Sequence, residues 1–432
     1  MTGCACRESL RLSGFLLVGG LSGHGLESLS PGSVESEPPA AVCFPRSRDM
    51  ELRYGINPQQ RIAESAPVVP DRWPVRLVNG EPSFINLLDA LNSWQLVREA
   101  ALALDTPAAA SFKHVSPAGA AVAGRLDEVI TELYGVGETV GDLTSAYVRA
   151  RDGDPKSSYG DFAAVSHPVD EELADLLSRV ICDGIIAPGF EPGTVEKLRR
   201  KKNGRFVVIE ADDAVALPDR EAREVFGVRL TQERDAVPIS RELLASAETQ
   251  LPEGAVRDLL LGLVVLRYTQ SNSVAYLHDG MALGIGAGQQ SRVDCTRLAG
   301  AKADTWWLRR HPVVRGLEFA AGTTRQDRIN WQVRFIEGDL TPDETERLAA
   351  ALTAPAGDFA PDQRSEWLRG RTGISFVSDG ALPFRDNVDH AARHGVSYIA
   401  EPGGSIRSAD VEDACREHGI TLVHTGLRLF HH

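Results

Sequence analysis

Residues 84–114 read FINLLDALNSWQLVREAALALDTPAAASFKH, and the fold prediction depends on this stretch. Apolar side chains recur at helical spacing over residues 84–104, which predicts a helix. Residues 108–114 are short and rich in small side chains, as in a buried strand that ends at a loop. Ser116-Pro117-Ala118-Gly119 is turn chemistry, and the small residues after it predict the start of another helix.

The same alternation of helix and strand continues to the last residues. Further helices are predicted over residues 169–177, 257–267, 298–310, 387–394 and 409–418. Further strands are predicted over residues 184–187, 205–211, 274–277, 281–285, 396–400 and 421–423. His278-Asp279-Gly280 stands between two of these strands and predicts a hairpin. The sequence therefore predicts an α/β fold.

Composition excludes several classes of protein. The 432 residues are 43% hydrophobic and 25% charged, which is an ordinary globular mixture long enough for two or three domains. No apolar run reaches the roughly 18–20 residues of a membrane span, so we expect no membrane partner. The net charge of −14 argues against a nucleic-acid partner. Arginine outnumbers lysine 40 to 6, so a local cluster of arginines that binds a small anionic ligand stays possible.

Half of the six cysteines lie in the first 43 residues, and no CxxC pair occurs. This pattern predicts reduced thiols, no disulfide framework and no zinc ribbon, with the cytoplasm as the expected location. Residues 1–49 are rich in Gly, Ser and Pro and show no sustained period. We interpret them as a disordered leader or a misplaced start, with a weak signal peptide as the alternative.

Three polar motifs are candidates for function. Lys113 and His114 end a predicted strand, and together they could supply an electrostatic donor and a general base, or be an ordinary solvated pair. Residues 284–292, GIGAGQQSR, match neither a dinucleotide fingerprint nor a P-loop. They predict a loop whose backbone approaches a ligand, with Arg292 aimed at an anion, or else a flexible turn. Residues 268–273 are either a polar pocket wall or a surface loop.

One histidine pair has the spacing of metal ligands on a helix. His390 and His394 lie four residues apart, but Ala-Ala-Arg separates them and no Glu is present to act as a base. We therefore interpret this pair as a solvated helix face and predict no metal site.

About a dozen motifs follow one another in order along residues 50–432. They are Leu52-Arg53-Tyr54-Gly55, Asn57-Pro58, residues 84–94, SFKHVSPAGAAV from Ser111, Ser157-Ser158-Tyr159-Gly160-Asp161-Phe162, CDGIIAPG from Cys182, Lys201-Lys202-Asn203-Gly204, YTQSNSV from Tyr268, GIGAGQQSRVDCTRLAG from Gly284, Pro383-Phe384-Arg385-Asp386-Asn387, PGGSIR from Pro402 and the terminal LRLFHH. In this combination the sequence resembles the 5-aminoimidazole-4-carboxamide ribonucleotide (AICAR) transformylase domain of the bifunctional purine biosynthesis enzymes.

The resemblance implies a particular fold and assembly. It implies two lobes similar to the cytidine deaminase fold, over residues 50–215 and 216–432, the second with a helical insertion. It also implies a homodimer whose active sites are shared between subunits. True deaminases hold zinc with His-x-Glu and Pro-Cys-x-x-Cys motifs, and this sequence contains neither, so we expect chemistry without a metal.

The resemblance also implies an activity. The enzyme would be a phosphoribosylaminoimidazolecarboxamide formyltransferase, which moves the formyl group of 10-formyltetrahydrofolate to the 5-amino group of AICAR in de novo purine biosynthesis. The products would be formyl-AICAR and tetrahydrofolate. The small molecules AICAR and 10-formyltetrahydrofolate, the latter as co-substrate, would be the partners.

Residue roles follow from the matching positions. His114 would take the amine proton, Lys113 would stabilise the oxyanion and help to protonate the leaving folate nitrogen, and Asn272 would touch the reacting groups. The residues implied for AICAR are Arg53, Tyr54, Gly160, Asp183, Asn272, Arg292 and Arg428. The residues implied for folate are Val293, Ala381, Ser405 and Ile406.

The sequence also departs from the family pattern. The cyclohydrolase domain that normally precedes the transformylase domain is not matched, so we expect another protein to close the ring to inosinate. Gln59, Tyr159, Ala381 and Ser408 stand where His, Phe, an aromatic residue and Asp are usual. The alternative function is an AICAR-binding paralogue that is non-catalytic or has an altered substrate. Retention of Lys113 and His114 argues against a non-catalytic protein.

Overall fold

The computed structural model describes residues 50–137, 139–248 and 250–432, and the predicted leader over residues 1–49 lies outside them. The described strands are β1 Met50–Glu51, β2 Glu64–Ser65, β3 Val75–Asn79, β4 Ala108–Lys113, β5 Ser116–Val122, β6 Asp161–Val165, β7 Cys182–Ala187, β8 Val207–Ala211, β9 Arg220–Val225, β10 Val228–Glu233, β11 Val274–His278, β12 Met281–Gly286, β13 Ile374–Ser378, β14 Val396–Glu401 and β15 Thr421–His424. The described helices are α1 Phe84–Leu104, α2 Glu128–Tyr134, α3 Asp142–Gly153, α4 Glu171–Arg179, α5 Thr194–Arg199, α6 Glu253–Arg267, α7 Arg292–Leu308, α8 Pro312–Arg315, α9 Arg325–Glu337, α10 Pro342–Ala351, α11 Pro361–Arg369, α12 Asp386–Ala392 and α13 Ser408–His418.

One large sheet organises the described chain. Eleven strands form it in the order β15-β14-β13-β11-β12-β5-β4-β6-β7-β8-β3, while β1 pairs with β2 and β9 with β10 outside it. Strands β6, β7 and β8 run parallel to one another, and so do β13, β14 and β15. The sheet with its covering helices confirms the predicted α/β class.

The two halves of the chain repeat one order of elements. Apart from α2, the first half runs α1-β4-β5-α3-β6-α4-β7-α5-β8. Apart from α8–α11, the second half runs α6-β11-β12-α7-β13-α12-β14-α13-β15. Because β5 meets β12 in the middle, the order of these ten strands is symmetric about that junction. The predicted lobe boundary at residues 215 and 216 falls between β8 and β9. The deaminase-like identity of the lobes stays a prediction.

Apolar side chains fill both faces of the sheet. Helices α1 and α6 cover one face, where Leu96, Phe112 and Leu263 are fully buried. Helices α3, α4, α7, α12 and α13 cover the other face, where Tyr147 and Tyr276 are fully buried. Helix α6 lies against both the sheet and α1, which explains why its sequence is apolar nearly all round.

Helix α1 begins at the predicted residue because of its cap. Ser83 Oγ accepts a hydrogen bond from the Asn86 amide at 3.3 Å, and Asn86 Oδ1 accepts one from the Ser83 amide at 3.1 Å. This reciprocal pair satisfies two amides that a helix start otherwise leaves open.

The predicted helix after residue 119 is wrong, because residues 116–122 form strand β5. The turn is His114-Val115 instead, since Lys113 pairs with Ser116 across it. Small residues are needed here for close packing of strand on helix. A Cβ on Gly119 would lie 2.0 Å from the Ala150 carbonyl oxygen in α3, and one on Gly284 in β12 would lie 2.1 Å from the Ala299 carbonyl oxygen in α7.

Two further sequence expectations concern the described helices and cysteines. Within residues 50–137, 139–248 and 250–432, every helix is too short or too polar to span a bilayer. The described cysteines, Cys182, Cys295 and Cys415, are buried free thiols.

Gly119→Ala and Gly284→Ala should each destabilise the protein by about 2–4 kcal/mol, because the added methyl group overlaps a backbone oxygen that a packed helix cannot move away. Thermal and urea unfolding of the purified variants measures this loss. Gly189→Ala is the control, since the nearest atoms to its Cβ lie at 3.7 Å. Equal stability of all three variants would contradict the packing argument.

Candidate active site

The residues predicted for the site lie at one edge of the large sheet. Strands alternate in direction from β13 through β11, β12, β5 and β4 to β6. Both kinds of strand end therefore meet at one edge. The strands that end there are β4, β12, β13, β14 and β15, and the strands that begin there are β5, β6, β7 and β11. Lys113, Gly160, Asp183 and Asn272 flank those strand ends in the first half and at the junction, and Arg428 follows β15.

The Lys113-His114 motif sits on a strained two-residue turn. His114 and Val115 have φ angles of +56° and +63°, a region that a β-branched valine rarely adopts. The turn is held from outside, because Asp89 of α1 accepts a hydrogen bond from the Val115 amide at 2.7 Å. Strained backbone of this kind collects at functional sites where surrounding structure enforces it.

Asp89 is an unusual support for that turn. Its side chain is buried, and burial raises the pKa of its carboxyl from 3.8 to about 6, with the neighbouring carboxylates of Asp183 and Asp161 acting in the same direction. The hydrogen bonds from the His114 and Val115 amides oppose this rise. The sequence offered a signal that was missed: an acidic residue in the middle of an apolar helix.

Lys113 and His114 present their side chains differently. The Lys113 ammonium donates to the Tyr159 carbonyl oxygen at 2.6 Å and lines a cleft. His114 is exposed, and its ring makes no hydrogen bond within the described residues. A cation fixed by one backbone oxygen and an imidazole open to solvent can both meet a ligand at this edge.

Four of the residues implied for nucleotide binding belong to the first half of the chain. They lie near the starts of α1, β6 and β7. The Arg53 guanidinium lies 5.2 Å from the centre of the Tyr54 ring and 3.4 Å from Asn86 Oδ1. The Phe84 amide donates to the Tyr54 carbonyl oxygen, which attaches this segment to the start of α1. Gly160 has φ +69°, and the Asp183 carboxylate pairs with the Lys202 ammonium.

Arg292 is buried rather than open to solvent. Its Nη1 donates to Asp379 Oδ1 at 2.5 Å and to Ser378 Oγ at 2.8 Å, and its Nη2 donates to Asn272 Oδ1 at 2.7 Å. The anion at which it is aimed is therefore Asp379. This contact fixes the Asn272 amide, whose Nδ2 donates to the Gln290 carbonyl oxygen at 3.2 Å.

The glycine-dense segment also differs from its prediction. Residues 281–286 are strand β12, and the loop is confined to residues 287–291. Gly284 and Gly286 pack under α7, so their lack of a side chain serves the core and not the approach of a ligand. Asp379, the missed partner, directly follows the buried strand β13, a position that could have marked it.

The C-terminal segment crosses the same edge. The Leu429 amide donates to the Asp379 carbonyl oxygen at 2.8 Å, and the His431 amide donates to Ser271 Oγ at 3.0 Å. Arg428, exposed and directly before Leu429, places its guanidinium 4.7 Å from the centre of the Phe430 ring. Of the residues implied for folate, Val293, Ala381 and Ser405 are partly buried and Ile406 is fully exposed.

The residues implied for one nucleotide do not meet within one chain. Arg428 lies beside the end of β13, whereas Gly160 and Asp183 lie at the starts of β6 and β7. Five to six strand spacings separate these positions, which is roughly 24–29 Å. That separation is longer than a nucleoside monophosphate.

His390 of α12 and His394, two residues beyond the end of that helix, both engage protein groups. His394 Nδ1 lies 2.8 Å from Asp304 Oδ1, and His390 Nε2 accepts from Arg297 Nε at 3.1 Å. In the part of the chain that the structure describes, no group of three or more His, Cys, Asp or Glu side chains is arranged to hold a metal ion.

Comparison with known proteins adds to this geometry. A model of the AICARFT/IMPCHase bienzyme family matches residues 26–302, which is more than half of the chain. The chain belongs to the AICARFT/IMPCHase bienzyme family. The matched residues include Lys113, His114, Asn272 and Arg292, and those before residue 50 lie outside the described structure.

Two curated relatives carry the comparison further toward the C-terminus. The chain is 30% identical over 392 residues to the bifunctional purine biosynthesis protein PurH of Magnetococcus marinus, covering 88% of this chain and 59% of the relative. It is 30% identical over 402 residues to the protein of the same name from Roseobacter denitrificans, covering 92% and 62%. The chain therefore spans about three-fifths of the length of these two relatives.

Asp89→Asn should change how the stability of this AICARFT/IMPCHase family member depends on pH. In the folded protein the pKa of the Asp89 carboxyl is about 6, above its ordinary value of 3.8. The folded state therefore binds this proton more tightly than the unfolded state does. The resulting contribution to the free energy of unfolding is fully present below pH 3.8 and is lost as the pH rises to 6. Relative to Asp89→Asn, the wild type should lose up to about 3 kcal/mol across that window.

Urea unfolding at several pH values between 4 and 7 measures the difference between the two proteins. Asp213→Asn, on an exposed side chain, controls for loss of a surface charge. A wild-type to Asp89→Asn difference that stays constant across the window would contradict the assigned burial of Asp89.

Proposed function

We propose that this chain transfers the formyl group of 10-formyltetrahydrofolate to the 5-amino group of AICAR, as a step of purine biosynthesis. The observation that carries the proposal is the Lys113-His114 turn, strained, supported by Asp89 and open to a ligand at the sheet edge. Membership of the AICARFT/IMPCHase family supports it, as does the similarity to two bifunctional purine biosynthesis proteins PurH.

The residues at the turn suit each step of such a transfer. The amine nitrogen of AICAR attacks the formyl carbon, and the carbonyl oxygen gains negative charge that the Lys113 ammonium stabilises. His114, exposed and without a protein partner among the described residues, takes the proton from the attacking amine. The carbon–nitrogen bond to folate then breaks, and its nitrogen receives a proton by way of Lys113. The sum is formyl-AICAR and tetrahydrofolate.

Positioning must contribute much of the rate, because the amine is conjugated with its ring and is a poor nucleophile. We assign AICAR to Arg53, Tyr54, Gly160, Asp183, Asn272, Arg292 and Arg428, and folate to Val293, Ala381, Ser405 and Ile406. Arg292 serves as a positioning residue, since its guanidinium holds Asn272 and is itself neutralised by Asp379. The chemistry needs no metal, and the cytoplasm stays the predicted location.

For the 432-residue chain we propose the transfer alone, with formyl-AICAR as the released product. Incubating the purified chain with AICAR and 10-formyltetrahydrofolate, and identifying products by mass spectrometry, tests this. Formyl-AICAR without inosinate is the expected result. Absence of any formylated product would support the alternative of an AICAR-binding paralogue with no turnover or another substrate.

His114→Ala should lower kcat by about 10²–10⁴-fold, because it removes the base. Lys113→Ala should lower kcat by about 10²–10³-fold, because it removes a donor aimed at developing charge. Neither change should greatly weaken AICAR binding in a calorimetric titration, since both side chains lie outside the residues assigned to hold the nucleotide. Lys197→Ala is the control, because Lys197 lies on α5, pairs with Asp175 of α4 and is outside the proposed site. Near wild-type kcat in both variants would remove this mechanism.

We also propose that the chain works as a homodimer with shared active sites. The separation of Arg428 from Gly160 and Asp183 supports it, because two copies can bring these groups to one nucleotide where one copy cannot. The β9-β10 hairpin supports it too. All of its strand residues are exposed, and its tip exposes Val225, Phe226 and Val228. An isolated two-stranded hairpin is marginally stable in water, so a partner is expected to cover it.

The open edge of β9 is complementary to itself. The Arg234 amide donates to the Asp219 carbonyl oxygen, so odd-numbered residues of β9 face β10 and even-numbered ones face outward. Antiparallel pairing of β9 with a second β9 about Ala222 uses those outward groups. It also sets Arg220 opposite Glu224 and Glu221 opposite Arg223, so all four charged residues on either side of Ala222 face an opposite charge.

Charge reversal tests this pairing. Glu221→Arg with Glu224→Arg, and separately Arg220→Glu with Arg223→Glu, should each weaken the dimer by setting like charges opposite one another. A mixture of the two variants should restore it. Sedimentation velocity at micromolar concentration measures the dimer fraction. A wild-type monomer, or dimers unaffected by either reversal, would contradict the proposed interface.

A further inference from the structure

Another cavity, the α7–α9 cavity, lies between helix α7, helix α9 and residues 153–157. Its volume is about 310 Å³, at the lower end of the range in which proteins bind small molecules. Its wall contains neither Lys113 nor His114 and none of the residues assigned to AICAR or folate. The cavity therefore lies outside the proposed formyl-transfer site, although Pro155 and Lys156 also line the cleft beside Lys113.

Apolar side chains from three segments line part of this cavity. Leu298 and Trp306 belong to α7, Val333 belongs to α9, and Pro155 belongs to the segment after α3. Trp306 and Val333 are buried, so this part of the wall is continuous with the packed interior. A flat apolar group placed against these side chains would lose contact with water, which favours its binding.

Three buried nitrogen atoms in the wall residues have no hydrogen-bond acceptor. They are Trp306 Nε1, Arg309 Nε and Arg309 Nη2, and none has a partner among the described residues. Both side chains line the cavity, and Arg309 is only 2% exposed. Buried donors are nearly always hydrogen-bonded, so each exception calls for an acceptor from another source. A ligand in the cavity can supply one.

The open donors of Arg309 select a particular kind of acceptor. Its Nη1 is already used, since it donates to Asp152 Oδ1 at 2.8 Å. The Nε and Nη2 atoms that remain form one side of the guanidinium group, the side that binds both oxygens of a carboxylate through two parallel hydrogen bonds. A carboxylate also has acceptor capacity left for the Trp306 indole, because it accepts at about four lone-pair positions and donates at none.

The charges on the wall agree with this choice. Its two carboxylates are each neutralised by a lysine of the same wall, Asp154 by Lys302 at 3.1 Å and Glu337 by Lys156 at 3.5 Å. Arg309 adds positive charge, although Asp152 behind it offsets that charge. The wall therefore does not repel an anion, and its open N–H groups favour acceptor oxygens.

We propose that the α7–α9 cavity binds a small aromatic carboxylate. The ring packs against Leu298, Trp306 and Val333, and the carboxylate accepts hydrogen bonds from Arg309 and Trp306. The occupant contacts the segment that leads to Tyr159, whose carbonyl oxygen holds the Lys113 ammonium at 2.6 Å. The site is independent of the proposed formyl transfer, because its occupation requires neither substrate nor turnover.

Calorimetric titration of the full chain with benzoate and with benzamide tests the proposal, because the two compounds share a ring and differ in charge. The wild type should bind one benzoate per chain with a Kd of about 1 mM, the range expected for so small a ligand. Benzamide should bind at least about fivefold more weakly, because it cannot pair with a guanidinium through two equivalent oxygens. Saturating AICAR or tetrahydrofolate, each added separately, should leave benzoate binding unchanged.

Two variants locate the binding site. Trp306→Phe keeps an aromatic ring but removes one donor, and it should weaken benzoate binding by about fivefold. Trp307→Phe is the matched control, since this neighbouring tryptophan lies outside the cavity wall and packs against His278. Lys302→Gln alters a half-buried position and removes a positive charge from the wall, so it should weaken benzoate binding by about threefold without disturbing the core.

Four results would each overturn the proposal. One is the absence of benzoate binding at about 10 mM, as expected of a cavity that holds only water. The second is equal affinity for benzoate and benzamide. The third is an equal effect of Trp306→Phe and Trp307→Phe, or no effect of Trp306→Phe and Lys302→Gln. The fourth is displacement of benzoate by AICAR or tetrahydrofolate, which would place it in the formyl-transfer site.

Discussion

The junction of β5 with β12 is the contact on which the rest of the molecule depends. The ladder there is short, with Met281 opposite Ala121 and the Val122 amide donating to the Gly280 carbonyl oxygen at 2.9 Å. The buried Arg149 guanidinium reinforces it by donating to the Val122 carbonyl oxygen at 2.8 Å and to that of Asp279. Because this junction joins two similarly ordered halves into one sheet, strand ends from both halves meet along one edge.

Buried ion pairs hold the helices of the two halves in the matching position. Asp152, at the end of α3, pairs with Arg309 and Arg310 beyond α7, each at 2.8 Å, and both Asp152 and Arg309 are almost completely buried. Such pairs cost desolvation when formed and much more when one partner is removed, so they specify one arrangement more than they add stability. Strand packing acts in the same way, since Gly119 and Gly284 admit helix backbone where a methyl group would not fit.

Arginine therefore has two uses in this acidic chain. Arg292, Arg149 and Arg309 are buried among carboxylates and carbonyls and fix the positions of other groups. Three other guanidinium groups have no carboxylate partner within the described residues. They belong to Arg179, Arg325 and Arg428, and they lie near the sheet edge that carries the proposed site. The difference is one of partner and burial, and it separates arginines that shape the site from those available to a ligand.

The sequence by itself determined the α/β class, the family, six of the thirteen described helices and seven of the fifteen described strands, because side-chain periodicity and motif order are local properties. Helix 84–104 came out at the predicted residues since its apolar spacing and its Ser83 cap agree. The sequence did not predict strand β5. Its small residues are explained by close packing against a helix distant in sequence and not by a local conformational preference. Nor did the sequence determine that Arg292 faces Asp379, that Asp89 supports the turn at His114, or that Arg428 and Asp183 stand six strands apart. Those facts depend on pairing between segments far apart in the chain, so only the tertiary structure could decide them.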